Sequence, residues 1–321
     1  MDVETGLRVP RGAPNCGSAS DTDTNNDTPR PTTPQAVPAE KQEQQQQQQQ
    51  IPASSAASTA TKQSWGDWLR DDVHVDYTDL PLMACCYVSG LCDSVTVNAA
   101  NVFVSMQTGN TVFLALGAAG LPAHEKWLWL RSVVSIVSFG FGCFCFSNTR
   151  RFHPKRKATL ALSFLVQSAA IFVAAALAQS RVVADFAQAS VPGFGGEGDT
   201  SLTGSQIVLI PVALLAWQFG GQISSSRMLG FGEVPTCVLT SVYCDLLSDP
   251  NILAPLKDNA KRNRRVLAVL LLLFGGISGG WLQRSAGGMT AVLWIAGSIK
   301  FMLAVSWTMW RSKEVKPMGG Q

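Results

Sequence analysis

The chain has 321 residues, of which only 15% are charged, with a net charge of +3 and a mean hydropathy of +0.15. A charge so small and scattered excludes a nucleic-acid binder held by phosphate contacts. A positive hydropathy in a chain that opens with a long polar stretch leaves the remainder apolar enough for a lipid bilayer.

Residues 1–63 are rich in Pro, Thr, Ser, Asp and Gln, with an unbroken run from Gln44 to Gln50. Such a stretch has too little apolar surface to offset an ordering entropy of about 1–2 kcal/mol per residue, so it reads as a disordered tail. An interaction arm that recruits partners is the alternative. Its start, Met1-Asp2-Val3-Glu4, lacks a basic region followed by an apolar core, so no cleaved signal is expected and the tail is expected to be cytosolic. A juxtamembrane segment, 64–80, follows, with Trp65 and Trp68 suited to the headgroup level and Asp71, Asp72, Asp76 and Asp79 beside them.

A bilayer core of about 30 Å takes roughly 20 helical residues. Apolar runs of that length lie at 82–104, 127–147, 157–180, 205–227, 265–284 and 288–310, all within a membrane domain at 81–311 that a short cytosolic tail, 312–321, closes. Two further apolar pieces, Thr108 to about Gly120 and about Pro235 to Leu247, are too short to cross. The fold expected is therefore all-α: a polytopic membrane protein with six full transmembrane helices plus two short re-entrant or half-helices.

Lys and Arg in short loops favour the cytoplasm. Arg150, Arg151, Lys155, Arg156 and Lys157 mark one such connection, Lys257, Lys261, Arg262, Arg264 and Arg265 another, and Arg311, Lys313 and Lys316 the C-terminus. The acidic 181–204 and the turn at Arg284 then belong outside. These sides agree only if each short piece enters and leaves by one face, the first from outside and the second from the cytoplasm. Each half then makes three crossings, which inverts the second half relative to the first, as in many transporters. Lys126 and Arg131, placed outside, strain the scheme. Setting Thr108 on Thr240 also puts Val102 on Val234 and Leu114 on Leu246, with Gly90 near Gly220 and Asp93 near Gln222.

Polar residues inside apolar spans are costly and mark candidate sites. Asp93 sits near the middle of the first span and Lys300 near the middle of the last, and the simplest arrangement pairs them, either as a structural link or as an ion-coupling site. Thr108-Gly109-Asn110 opens the first short piece, where glycine tolerates a sharp turn and the positive end of a half-helix could meet an anionic or dipolar solute. Thr240 takes the equivalent place in the second, and Gln218 and Gln222 lie along the fourth span, where bonding between helices accounts for them.

Seven of the eight cysteines fall in or beside apolar runs without C-x-x-C spacing and read as free thiols. No span holds a histidine, and no metal-ligand cluster, G-x-S-x-G, H-E-x-x-H or P-loop is present, so neither metal, cofactor nor enzymatic chemistry is expected. The partners expected are the lipid bilayer and a small solute or ion.

At Gly90 and Asp93, and again at Phe103, Val104, Thr108, Gly109 and Asn110, the chain resembles the YoaK-like multi-pass membrane proteins of bacteria and fungi, a domain of unknown function. Leu91 stands where that family has an aromatic residue and Gln107 where it has Met. The resemblance covers roughly 80 to 310. It implies a polytopic membrane protein and brings no substrate or activity. A small-solute transporter or channel is the reading that follows, with a structural or regulatory membrane protein as its rival.

Overall fold

The structure, a computed structural model, describes residues 64–121, 127–187 and 206–313. The expectations for 1–63, for Lys126, for most of 181–204 and for 314–321 fall outside the described residues. Those described are helical, with α1 at Trp65–Arg70, α2 at Asp79–Ala100, α3 at Gln107–Ala118, α4 at Leu128–Ser147, α5 at Lys157–Gln179 and α6 at Ala184–Ala187. They continue with α7 at Leu209–Leu229, α8 at Thr240–Leu247, α9 at Ala260–Gln283 and α10 at Gly288–Met309. Their strand-like features are two isolated bridges, Asp72 to Arg156 and Val73 to Ser312.

Five helices, α2, α4 with the turn after it, α5, α9 and α10, are long and apolar enough to cross a membrane. The chain is thus a multi-pass helical membrane protein. The helix α7 is as long, at 21 residues, but Gln218, Gln222 and Ser224 to Ser226 dilute it. It tolerates them because protein covers it: all five of those side chains are buried, as are Phe219, Gly220 and Gly221. With α2, whose apolar stretch is 72% buried, it forms the inside of the bundle, while α4 and α9, at 22% each, lie outside.

The long helices pack in three pairs, α2 with α9, α4 with α7, and α5 with α10. The first pair is parallel, since Arg264 binds Asp79 at one end and Asn98 binds Gln283 at the other. The second is parallel too, with Phe146 against Gly221 and Thr149 beside Met228 further along both helices. The third is antiparallel, from Lys157 on Ser312 through Phe164 on Trp307 to Gln179 on Trp294.

Glycines bring the first two pairs to backbone contact. A methyl group on Gly90 would strike the carbonyl of Leu272, and one on Gly275 the carbonyl of Tyr87. In the other pair, one on Gly220 would strike the carbonyl of Phe139, and one on Gly142 that of Trp217. In each case the blocking carbonyl lies three residues before the glycine opposite, so both crossings have one geometry.

The two short helices are hooks. Asn101, in the left-handed conformation at φ 55°, stops α2 four residues before the end expected of the first span, because asparagine tolerates this turn. The chain then folds back to the level of Asp93, and α3 climbs beside α4 from Ser135 to Trp129, ending where α4 begins. The start of α4 is also where α2 ends, as Arg131 Nη1 donates to the Ala100 carbonyl. In the second half, the chain after α7 passes Thr236 and Cys237 against Ser89, in mid-α2, before α8 returns to the start of α9, where Arg265 meets Asp245. The hooks thus leave the bundle at opposite ends. The second is only eight residues long, because 235–239 is irregular where the apolar run predicted helix.

At the end where α2 starts, a clasp joins three segments. Lys157 Nζ lies 3.0 Å from the centre of the Trp68 ring and donates to Ser312, which in turn donates to Asp71. Trp68 Nε1 donates to the Thr308 carbonyl, and Trp310 Nε1 to that of His74. On the same end Asp249 accepts from the Asn259 amide and the Asn251 N–H, which with Arg265 and Arg262 nearby hold its carboxyl below the usual range.

Candidate functional site

Asp93 is buried, and its bonds are local. One carboxylate oxygen accepts from the backbone N–H groups of Val104 and Ser105, the other from the Ser105 hydroxyl. The side chain therefore pins the returning strand of the first hook to the middle of α2. Asn110 secures the same turn from the helix side: its carbonyl accepts from Phe103 N–H, and its amide donates to the Phe103 carbonyl and to Ser135. Gly109 leaves room for the Phe103 ring, which would otherwise lie 3.0 Å from a side chain there. Together these residues make a polar turn whose bonds are satisfied in an apolar setting.

Lys300 is fully buried as well, but not beside Asp93. Its Nζ donates to Gln167 Oε1 at 2.6 Å and lies 5.1 Å from the Phe164 ring centre and 6.0 Å from that of Phe219. The pairing expected of the two charges is corrected: each is met by neighbours on its own side of the bundle, Asp93 by its own loop and Lys300 by α5. Cys237 lies within electrostatic range of both.

Gln222 holds the second hook much as Asp93 holds the first. Its amide donates to the Cys85 carbonyl and to Ser89 and contacts Cys237, and Ser89 donates to the Thr236 carbonyl. Two of the predicted site residues, Thr108 and Thr240, do not join this centre: both are exposed. Each opens its hook helix with the side chain facing away, and a residue's polarity does not tell which way it turns. The structure adds Ser89, Ser105, Ser135 and Gln167. Of these only Gln167, an amide in the middle of the apolar run 157–180, carried a signal.

A cleft of about 490 Å³ opens between α2, the 101–106 turn and α9, lined by Asp93, Ser94, Asn98, Asn101, Phe103 and Met106. Its polar groups lie along α2, from the asparagines near that helix's end down to Asp93.

A comparison with protein families gives a match over residues 81–306 to the family described as "Protein of unknown function (DUF1275)". The chain belongs to the DUF1275 family. No curated protein and no solved structure gave a significant match. In this DUF1275 protein most of the residues that carried the YoaK-like resemblance have a mechanical place, Thr108 being the exception. Gly90 makes the helix crossing, Asp93 anchors the returning strand, and Phe103, Gly109 and Asn110 form the turn from which α3 starts.

Proposed function

We propose that this DUF1275 protein lets a small solute or ion pass through a polar site near the middle of the bilayer. In this reading α7 is a sixth crossing, shielded from lipid by its neighbours, and the hooks at 107–118 and 240–247 are re-entrant, each leaving by the face at which it entered. The halves are an inverted repeat: α2, α3, α4 and α5 correspond to α7, α8, α9 and α10. The matching glycine crossings, α2 on α9 and α7 on α4, support it, because a twofold relation exchanges one pair for the other. Arg150 to Lys157, Arg262 to Arg265 and Arg311 gather at the end where α2 starts, which supports a cytoplasmic placement for that end and for both termini.

The observation that carries the proposal is the convergence of both hooks on one buried polar level, with the cleft leading to it from the opposite end. A half-helix that starts at mid-depth turns N–H groups toward the interior, which suits a solute. We assign no catalytic step to these residues.

The test is stopped-flow light scattering of reconstituted vesicles with glycerol, urea, sodium chloride and sodium nitrate as probes. Entry faster than in protein-free vesicles for at least one probe is expected, and Asp93→Asn should slow it at least tenfold while the protein still folds. No acceleration with any of the four would overturn the proposal.

A second reading, a structural or regulatory membrane protein, draws on Tyr87 bonded to Ser278 and Asn98 bonded to Gln283, polar links that hold α2 to α9. It predicts that removing residues 1–63 abolishes the cellular phenotype, whereas solute passage would survive that deletion.

A further inference from the structure

The loop 248–259, between α8 and α9, is braced by its own polar groups. Asp249 accepts from the Asn251 N–H and from the Asn259 amide, which also donates to the Asn251 carbonyl. Arg262, buried in the first turn of α9, donates through Nη1 to the carbonyls of Ile252 and Ala254. Its Nε and Nη2 donate to Asn263 Oδ1, and the Asn263 amide donates to the Leu256 carbonyl. One linked pair of side chains thus fixes the backbone on both sides of Leu253 and at Leu256. Yet Leu253 is 95% exposed and Leu256 76%, and no described residue covers them. Apolar side chains leave water wherever the chain allows it, so a loop built to hold two leucines outward has its apolar contact outside the chain.

The height of the loop identifies that contact. Arg262 and Asn263 precede Val266, where the apolar run of α9 begins, by four and three residues, a rise of about 4.5–6 Å. The headgroup layer is about 5–8 Å deep on each side of the hydrocarbon, so the carbonyls held by these two residues lie within it. Deeper along the same helix Leu267, Leu270, Leu273, Phe274 and Ile277 are all exposed. The charges beside the leucines agree with this placement. Arg264 and Arg265 are taken up by Asp79, Glu233, Asp245 and Asp249. Lys257 and Lys261 stand exposed and form no ion pair among the described residues, with Asp258 the exposed acid between them. Ammonium groups so placed are attracted to a leaflet rich in anionic lipid.

We propose that Leu253 and Leu256 dip into the headgroup region of the leaflet at the end where α2 starts, while Lys257 and Lys261 meet the phosphates of anionic phospholipids. The loop is a surface anchor that sets the depth of α9 and of the second hook it follows. It stands whether or not a solute passes through the bundle.

The test uses Leu253→Cys and Leu256→Cys, each in a Cys16→Ser, Cys244→Ser background, with a nitrobenzoxadiazole label on the full chain in phosphatidylcholine vesicles. The labelled background protein supplies the signal to subtract. Both labels should be quenched at least twice as strongly by phosphatidylcholine carrying a nitroxide at acyl carbon 5 as by aqueous iodide. A smaller ratio at either position would put the loop in water and overturn the proposal. Labels that neither quencher reaches would also overturn it, since a second copy or residues 1–63 would then cover the leucines. The same label on Asp258→Cys should favour iodide; a lipid preference there equal to that at 253 would mean that the label, and not the loop, seeks lipid, and would overturn it too. Replacing 30% of the lipid by phosphatidylserine should raise nitroxide quenching at 253 and 256, and Lys257→Gln with Lys261→Gln should remove that rise. An unchanged rise would reject the lysines as the contact to anionic lipid and with them the proposal.

Discussion

Gly90 and Gly275 meet backbone to backbone, and the contact repeats between Gly220 and Gly142. If these crossings bear the weight of helix packing, Gly90→Ala and Gly220→Ala should each destabilise the protein by about 1–3 kcal/mol through overpacking. Gly140→Ala and Gly276→Ala, whose added methyl meets nothing within 4 Å, should be close to silent. Melting temperatures in detergent measure all four, and a large loss at Gly140 or Gly276 would mean that lipid or a second chain presses there.

Asp93 supplies the acceptors for the turn at Val104 and Ser105. Asp93→Leu leaves two buried N–H groups without partners, a loss of about 1–3 kcal/mol each, while Asp93→Asn keeps an acceptor. The leucine variant should therefore melt lower than the asparagine variant and exchange the amide hydrogens of 104–110 faster. Equal protection in both would show that Asn110 and Ser135 hold the turn unaided.

The direction in which each hook leaves the bundle is open to chemical labelling. Cys244, on α8, is the exposed thiol among the described cysteines. In a Cys16→Ser background, a membrane-impermeant maleimide should modify it in inside-out vesicles and leave it untouched in right-side-out ones. A cysteine placed at Gly120 should behave the opposite way. Both labelled from one side would end the inverted arrangement.

Asp249 sits outside the spans with its carboxyl held below the usual range by the Asn259 amide, the Asn251 N–H and nearby arginines. A depressed folded pKa means that the bonds stabilise the loop above the ordinary carboxylate range and are lost as pH falls through the folded value. Amide protection at 250–262 should thus hold at neutral pH and drop on acidification below about pH 4. Asp249→Asn should flatten that dependence. Protection that stays constant to pH 2 would contradict it.

Much of this architecture was readable because lipid demands long apolar runs, and the runs at 127–147, 157–180 and 288–310 match helices to within two residues. The start of α9 at Ala260 was hidden by its basic residues, which a helix accepts in its solvated first turns as readily as a loop does; Asn259, capping Arg262 N–H, makes the true beginning. The fold-back at Asn101 was hidden inside an apolar run, since Val102 and Val104 are as apolar as a helix and are buried against the core without being helical. Charge position alone misled the pairing of Asp93 with Lys300: equal depth along two helices does not place two side chains face to face. Gln218 and Gln222 were noticed as bonding residues, but that one would bond and the other not depends on three-dimensional neighbours that spacing does not carry.

The clasp built on Trp68, Lys157 and Ser312 has a mechanical meaning. A pull arriving along the chain ahead of Trp65 is borne first by the ends of α5 and α10, the helices that carry Gln167 and Lys300, before any strain reaches α2. A tug on the front of the protein would therefore be felt through the two helices that meet at its buried amine, which makes this junction the natural lever for any load applied from the aqueous side.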